Sequence, residues 1–120
     1  MTKVLVVEDS HFNMELVLEI LDTMDFMAAG VSSGAEAIKN TENEVYDLVL
    51  MDIELPGMDG ISIQKILRNN PKYKNVPIIA LTAYAMKGDK ERFLAAGFDD
   101  YISKPIDMTD FIQRLEKYRK

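Results

Sequence analysis

Five short apolar runs alternate with five amphipathic segments, and this alternation constrains the fold more than any other feature of the chain. Val4-Leu5-Val6-Val7 ends in Glu8-Asp9, and Leu48-Val49-Leu50-Met51 ends in Asp52 shortly before the turn residues Pro56-Gly57. Unbroken apolar runs closed by turn residues mark strands buried on both faces. Phe26 to Val31 is a weaker strand, because Ala28, Ala29 and Gly30 offer little side chain to pack. Val76 to Leu81 is a fourth strand ending in Thr82, with Pro77 near its start where a missing N–H is tolerated. Tyr101-Ile102-Ser103 is a short fifth, ending in Lys104-Pro105.

The intervening segments read as helices. Met14, Val17, Leu18, Leu21 and Met24 follow helical spacing in the first. Ser33-Gly34-Ala35-Glu36 matches a capping box that opens a second helix through about Asn43. A third runs from about Met58 to Asn69, and a polar fourth closes at Gly97. Asp107 caps a fifth, with Met108, Phe111, Ile112, Leu115 and Tyr118 on one face. Such alternation gives an α/β fold: one doubly wound, five-stranded parallel sheet with five helices on its two faces and right-handed crossovers. The three most apolar strands, the first, third and fourth, belong at the centre, which selects the order 2-1-3-4-5.

With 120 residues, 48% of them hydrophobic, the chain suffices for one domain with a genuine core, read as residues 1–120. A net charge of -6 argues against a nucleic-acid or anionic-membrane partner. Zero cysteines exclude disulfides, thiolate metal sites and a cysteine nucleophile. No apolar stretch approaches the roughly 18 residues of a membrane span, and Met1-Thr2-Lys3 runs straight into a strand without a signal peptide. The expected setting is the cytoplasm.

In the order 2-1-3-4-5, strands one, three, four and five are neighbours about 4.8 Å apart. Their ends therefore bring Glu8, Asp9, Asp52, Thr82 and Lys104 to one crevice at the carboxyl edge, where open α/β sheets bind ligands. Two unit charges ~4 Å apart repel by ~4 kcal/mol at an effective dielectric of 20. Three clustered acids thus need a cation or raised pKa values. An all-oxygen donor set favours a hard cation, Mg²⁺ before Zn²⁺. A carboxylate beside Mg²⁺ is able to attack phosphorus and form an aspartyl phosphate, with Lys104 and Thr82 as donors to the phosphoryl oxygens.

Taken together, Glu8-Asp9, Leu50-Met51-Asp52 with Leu55-Pro56-Gly57-Met58-Asp59-Gly60, Ala80-Leu81-Thr82-Ala83, and Tyr101-Ile102-Ser103-Lys104-Pro105 resemble the receiver domain of two-component response regulators. The resemblance spans essentially the whole chain and keeps the family's motif order. Ala83-Tyr84-Ala85-Met86-Lys87-Gly88-Asp89 further resembles stand-alone regulators of the DivK type and receivers of hybrid histidine kinases.

That resemblance implies a phosphorylation-controlled switch rather than an enzyme, one that assists its own Mg²⁺-dependent phosphorylation and dephosphorylation. Asp52 is the implied phosphoacceptor, supplied by a phosphohistidine of a histidine kinase or phosphotransfer protein. Asp9, Asp52 and the backbone carbonyl of Glu54 are the implied Mg²⁺ ligands, with Glu8 acting through water and Mn²⁺ or Ca²⁺ able to substitute. Lys104 and Thr82 stabilise the phosphoryl group, Thr82 and Tyr101 form the switch, and Lys104-Pro105 is an expected cis peptide. Glu54 and Tyr84 are the implied lifetime-tuning positions. Output passes through the face of the fourth helix, fifth strand and fifth helix to a downstream protein, by a monomer or a phosphorylation-dependent dimer.

Other readings compete. The chain is alternatively a receiver excised from a hybrid kinase or larger regulator, or a pseudo-receiver that binds partners without phosphate. A flavodoxin-like carrier would want hydroxyls and amides after the first strand, where Glu8-Asp9 stand. Gly57-Met58-Asp59-Gly60 has the glycine spacing of neither standard phosphate loop and reads as a turn. His11 is the sole histidine, so no His triad can be assembled.

Overall fold

The computed structural model describes residues 1–83 and 88–120. Strands β1 (Lys3–Val7), β2 (Met27–Val31), β3 (Leu48–Asp52), β4 (Ile78–Thr82) and β5 (Asp100–Ser103) form one sheet in the order β2-β1-β3-β4-β5. All four pairings are parallel. The crossovers carry α1 (His11–Thr23), α2 (Gly34–Asn43), α3 (Gly60–Arg68), α4 (Asp89–Ala96) and α5 (Met108–Glu116), with a 3-10 turn at Pro71–Tyr73 before β4. Fold class and strand order agree with the reading of the apolar pattern.

Side chains of a strand point alternately to its two faces, and this alternation separates two cores. Val4, Val6, Leu48, Leu50, Ile79 and Leu81 pack against Val17, Ile20 and Leu21 of α1 and Phe111 and Leu115 of α5. Leu5, Val7, Val49, Met51, Ile78 and Ala80 pack against Ala37 of α2, Ile63 and Leu67 of α3 and Phe93 of α4. Every residue of β3 and β4 is buried, as central strands require, whereas in the edge strand β2 only Val31 is. Among the described residues, no helix is long and apolar enough to cross a membrane.

Element boundaries shift by local chemistry. The third helix starts at Gly60 instead of Met58, because Asp59 caps it by accepting from the Ser62 N–H at 2.8 Å. Met108, assigned by spacing to an apolar face, is 54% exposed in the first turn of α5, before Phe111 meets the core. Ser33 Oγ accepts from the Glu36 N–H as a cap should, and the Glu36 carboxylate accepts from the Ser32 and Ser33 hydroxyls. Gly97 closes α4 with φ 114°, a left-handed conformation that suits glycine.

Candidate functional site

Parallel register levels the carboxyl ends of four strands. Val7 pairs with Met51, so Glu8 and Asp52 leave the sheet side by side; Asp52 pairs with Leu81, and Thr82 with Ser103. Glu8 and Asp52 are each 1% exposed, while Asp9 is exposed to solvent. Carboxylate oxygens of Glu8, Asp9 and Asp52 all lie within 4.8 Å of one another. The Lys104 ammonium stands 2.8 Å from Glu8 Oε1 and 3.2 Å from Asp52 Oδ2.

Backbone amides hold the two buried acids. Asp52 Oδ1 accepts from the Glu54 N–H at 2.9 Å, and Glu8 Oε2 accepts from the Ser10 N–H at 3.1 Å. Ser10 also caps α1, accepting from the Asn13 N–H at 3.3 Å. A serine thus serves the helix N-terminus, and Asp9 remains available to the crevice. The loop after β3 is fixed by close approach: a Cβ on Gly60 would stand 2.5 Å from the Asp52 carbonyl oxygen. Glycine there lets α3 begin directly beneath the end of β3, with the Gly60 N–H donating to the Ile53 carbonyl at 3.1 Å.

The electrostatics follow from this crowding. Burial, then the hydrogen bond shared with Asp52, pushes the Glu8 carboxyl up to about 7. Burial acts on Asp52 in the same direction. There the hydrogen bond with Glu8, the Glu54 N–H and the Lys104 charge outweigh it and hold Asp52 below its ordinary range. Lys104 is pulled down by burial, yet Glu8 and Asp52 together keep it above its usual value. Among the described residues, Lys104 is the one ammonium paired with this three-carboxylate cluster, and it contacts Glu8 and Asp52. An all-oxygen, under-neutralised cluster of this kind fits a hard divalent cation.

The remaining predicted residues lie around this cluster at different depths. Thr82 is fully buried at the end of β4, and its carbonyl accepts from the Lys104 N–H at 2.7 Å. The Lys104-Pro105 peptide is cis. Tyr101 is half-buried on β5, its ring centroid 6.1 Å from that of Phe93. The exposed side chain of Glu54 crosses to the end of β4, where Oε1 accepts from the Ala83 N–H at 3.0 Å. Tyr84 and Met86 lie outside the described residues. His11 is exposed, and its Nε2 stands 2.9 Å from Glu15 Oε1. Sequence reasoning missed Ser10 and the Ala83 amide. The first carries an N-cap signature just before the helical run; a backbone N–H carries none.

Comparison with known proteins places the chain among relatives. Residues 4–116 match the family described as the response regulator receiver domain. The polar-differentiation response regulator DivK of Brucella ovis is 40% identical over 119 residues, covering 98% of this chain and 97% of that protein. The receiver domain of a sensor histidine kinase from Pseudomonas aeruginosa PAO1 was solved with a magnesium ion coordinated in its active-site cleft. It is 35% identical, has a TM-score of 0.88, and the match covers 98% of this chain and 96% of that one. The chemotaxis response regulator CheY4 of Vibrio cholerae is 26% identical with a TM-score of 0.93, over 99% of both chains.

Proposed function

Because this chain belongs to the response regulator receiver domain family of two-component signalling, we propose that it is a phosphorylation-controlled switch with Asp52 as the phosphoacceptor. One observation carries the reading: Asp52 is buried at the sheet edge, one oxygen held by the Glu54 N–H, the other 3.2 Å from the Lys104 ammonium. A carboxylate fixed in this way presents its nucleophilic oxygen in a single orientation.

The proposed donor is a phosphohistidine on a histidine kinase or phosphotransfer protein. Asp52 attacks phosphorus, the P–N bond breaks, and the imidazole leaves with the electron pair. Asp9, Asp52 and the Glu54 carbonyl are the proposed ligands of Mg²⁺, with Glu8 reaching it through water. When bound, the cation neutralises the carboxylates and the incoming phosphoryl oxygens. Lys104, already in contact with Asp52, supplies a charge-assisted hydrogen bond, and the Thr82 hydroxyl supplies another.

The output is proposed to be a population shift. As Thr82 moves toward the phosphoryl group, Tyr101 follows into the space released, and the face of α4, β5 and α5 changes. Taking such an equilibrium from 1:99 to 99:1 needs ~5.5 kcal/mol of differential stabilisation. A few hydrogen bonds to a charged group, at ~1.5–3 kcal/mol each, are of that order. The chain's charge of -6 accords with a protein partner in the cytoplasm in preference to nucleic acid.

Incubation with acetyl phosphate and Mg²⁺ tests the acceptor. The wild-type chain gains the mass of one phosphoryl group, and Asp52→Asn gains none while keeping its circular dichroism spectrum. Phosphate uptake by Asp52→Asn would overturn the assignment.

A further inference from the structure

The ring of Tyr101 lies between two helices. On the α4 side it meets Phe93; on the α5 side the Arg114 guanidinium carbon stands 5.8 Å from its centroid. Arg114 is itself anchored. Its Nε donates to both Asp110 oxygens at 3.2 and 3.1 Å, and its Nη1 donates to Asp100 Oδ1 at 3.4 Å and to the Tyr101 carbonyl at 3.3 Å. Two carboxylates and a carbonyl thus orient the cation toward the aromatic face. The Arg114 side chain is 37% exposed, so the ion pairs themselves are weak. What distinguishes the arrangement is that its aromatic contact exists only while the Tyr101 ring stays where it is.

We infer that Arg114 is a positioning residue of the switch, its guanidinium retaining the Tyr101 ring at the α4–α5 surface and opposing the inward movement that follows phosphorylation. The inference rests on the reading of Tyr101 as the moving aromatic. A contact made in only one of two states biases the equilibrium by its own free energy. Inward movement of the ring breaks the cation–π contact while the Tyr101 backbone stays paired in β5. An exposed contact of this type corresponds to about a two- to five-fold bias. By linkage, removing it tightens the binding of any ligand that prefers the inward state by the same factor. Loss of packing common to both states has no such effect. Lysine is a partial substitute, since it keeps the charge but lacks the planar surface that stacks on an aromatic ring.

The test is a titration of the full chain with beryllofluoride and Mg²⁺, followed by NMR of the tyrosine rings. In the wild type the Tyr101 signals shift on saturation; if they do not, the switch reading fails and the inference with it. Given that shift, Arg114→Met tightens apparent beryllofluoride affinity about two- to five-fold, and its free-state Tyr101 signals move toward the saturated positions. Arg114→Lys falls between the two. Unchanged or weakened affinity in Arg114→Met, with free-state signals at their wild-type positions, overturns the role of Arg114 and leaves the switch reading intact.

Discussion

The two edges of the sheet use the same kinds of polar side chain to opposite ends. At the amino edge, Arg68 donates to the carbonyls of Tyr73, Lys74, Val76 and Gly97 and to Asp99 Oδ2, the last at 2.6 Å. Asp99 accepts in addition from the Ile78 N–H at 2.8 Å. The buried Tyr73 hydroxyl donates to the Glu44 carbonyl at 2.7 Å and accepts from the Tyr46 N–H at 3.0 Å. At the carboxyl edge, Glu8 and Asp52 share the Lys104 ammonium, with the Asp9 carboxylate within 4.8 Å of theirs. Polar groups of the first edge find their partners inside the chain and tie three loops together. Among the described residues, the second edge keeps more carboxylates than cations, a surplus that a bound cation would neutralise. With the proposed function at the carboxyl edge, stability and function would lie at opposite ends of the same strands.

Arg68→Met is the strongest way to break this division. It keeps the aliphatic stem but strands acceptors from two segments, residues 73–76 and 97–99, at a cost of about 3 kcal/mol. Urea unfolding should show the lower midpoint, and Mg²⁺-dependent phosphorylation of the remaining folded chain should be unaffected. Loss of phosphorylation with stability retained would mean that the edges are not separate in role.

Acidity offers a second probe, at the carboxyl edge. In metal-free buffer the native chain holds the Glu8 proton more tightly than the unfolded chain does, at about 7 against the usual 4.5. A folded-state value raised in this way makes stability highest below about 4.5 and lowers it as pH rises toward 7. Asp52 is shifted the other way, but its contribution falls below its usual 3.8 and outside this window. Thermal melts with a chelator should therefore show falling stability across the window, and Glu8→Gln should flatten the trend. Arg68→Met should retain it. Persistence of the slope in Glu8→Gln would assign it to another group.

The contrast also separates what was legible in the residues from what was not. Strand order and the convergence of Glu8, Asp52, Thr82 and Lys104 were readable because each strand announces itself by an apolar run and each site residue directly follows one. Gly57-Met58-Asp59-Gly60 is legible in the same way, as a turn with Gly57 at φ 83° and Asp59 as a cap. Arg68 was not legible. In the last turn of a helix a basic residue looks like a solvated cation, and its partner Asp99 lies 31 positions away. Nor was the bond from the Ala83 N–H to Glu54, since an amide is common to nearly every residue. Local signals reveal the strands and their ends; bonds between distant segments exist only once the sheet has formed.

The smallest expected effect concerns that last bond. The Ile53 N–H donates to the Leu81 carbonyl at 3.0 Å, and the Glu54 carboxylate accepting from the Ala83 N–H carries the β3–β4 pairing one step beyond the sheet. Both residues are exposed, so water competes and the bond should contribute less than about 1 kcal/mol. Glu54→Gln keeps an acceptor of the same size and removes only the charge; Glu54→Ala removes both. Neither should move the urea midpoint as far as Arg68→Met does, because this bond joins two exposed residues, whereas Arg68 donates to part-buried carbonyls. The two variants diverge instead in the decay of the phosphorylated chain after the donor is removed. If the bulk of Glu54 keeps water from the phosphoryl group, decay quickens in Glu54→Ala and stays near wild type in Glu54→Gln. Equal acceleration in both variants would show that the negative charge repels the attacking hydroxide-like water, and that the strap across the crevice shields nothing by its size.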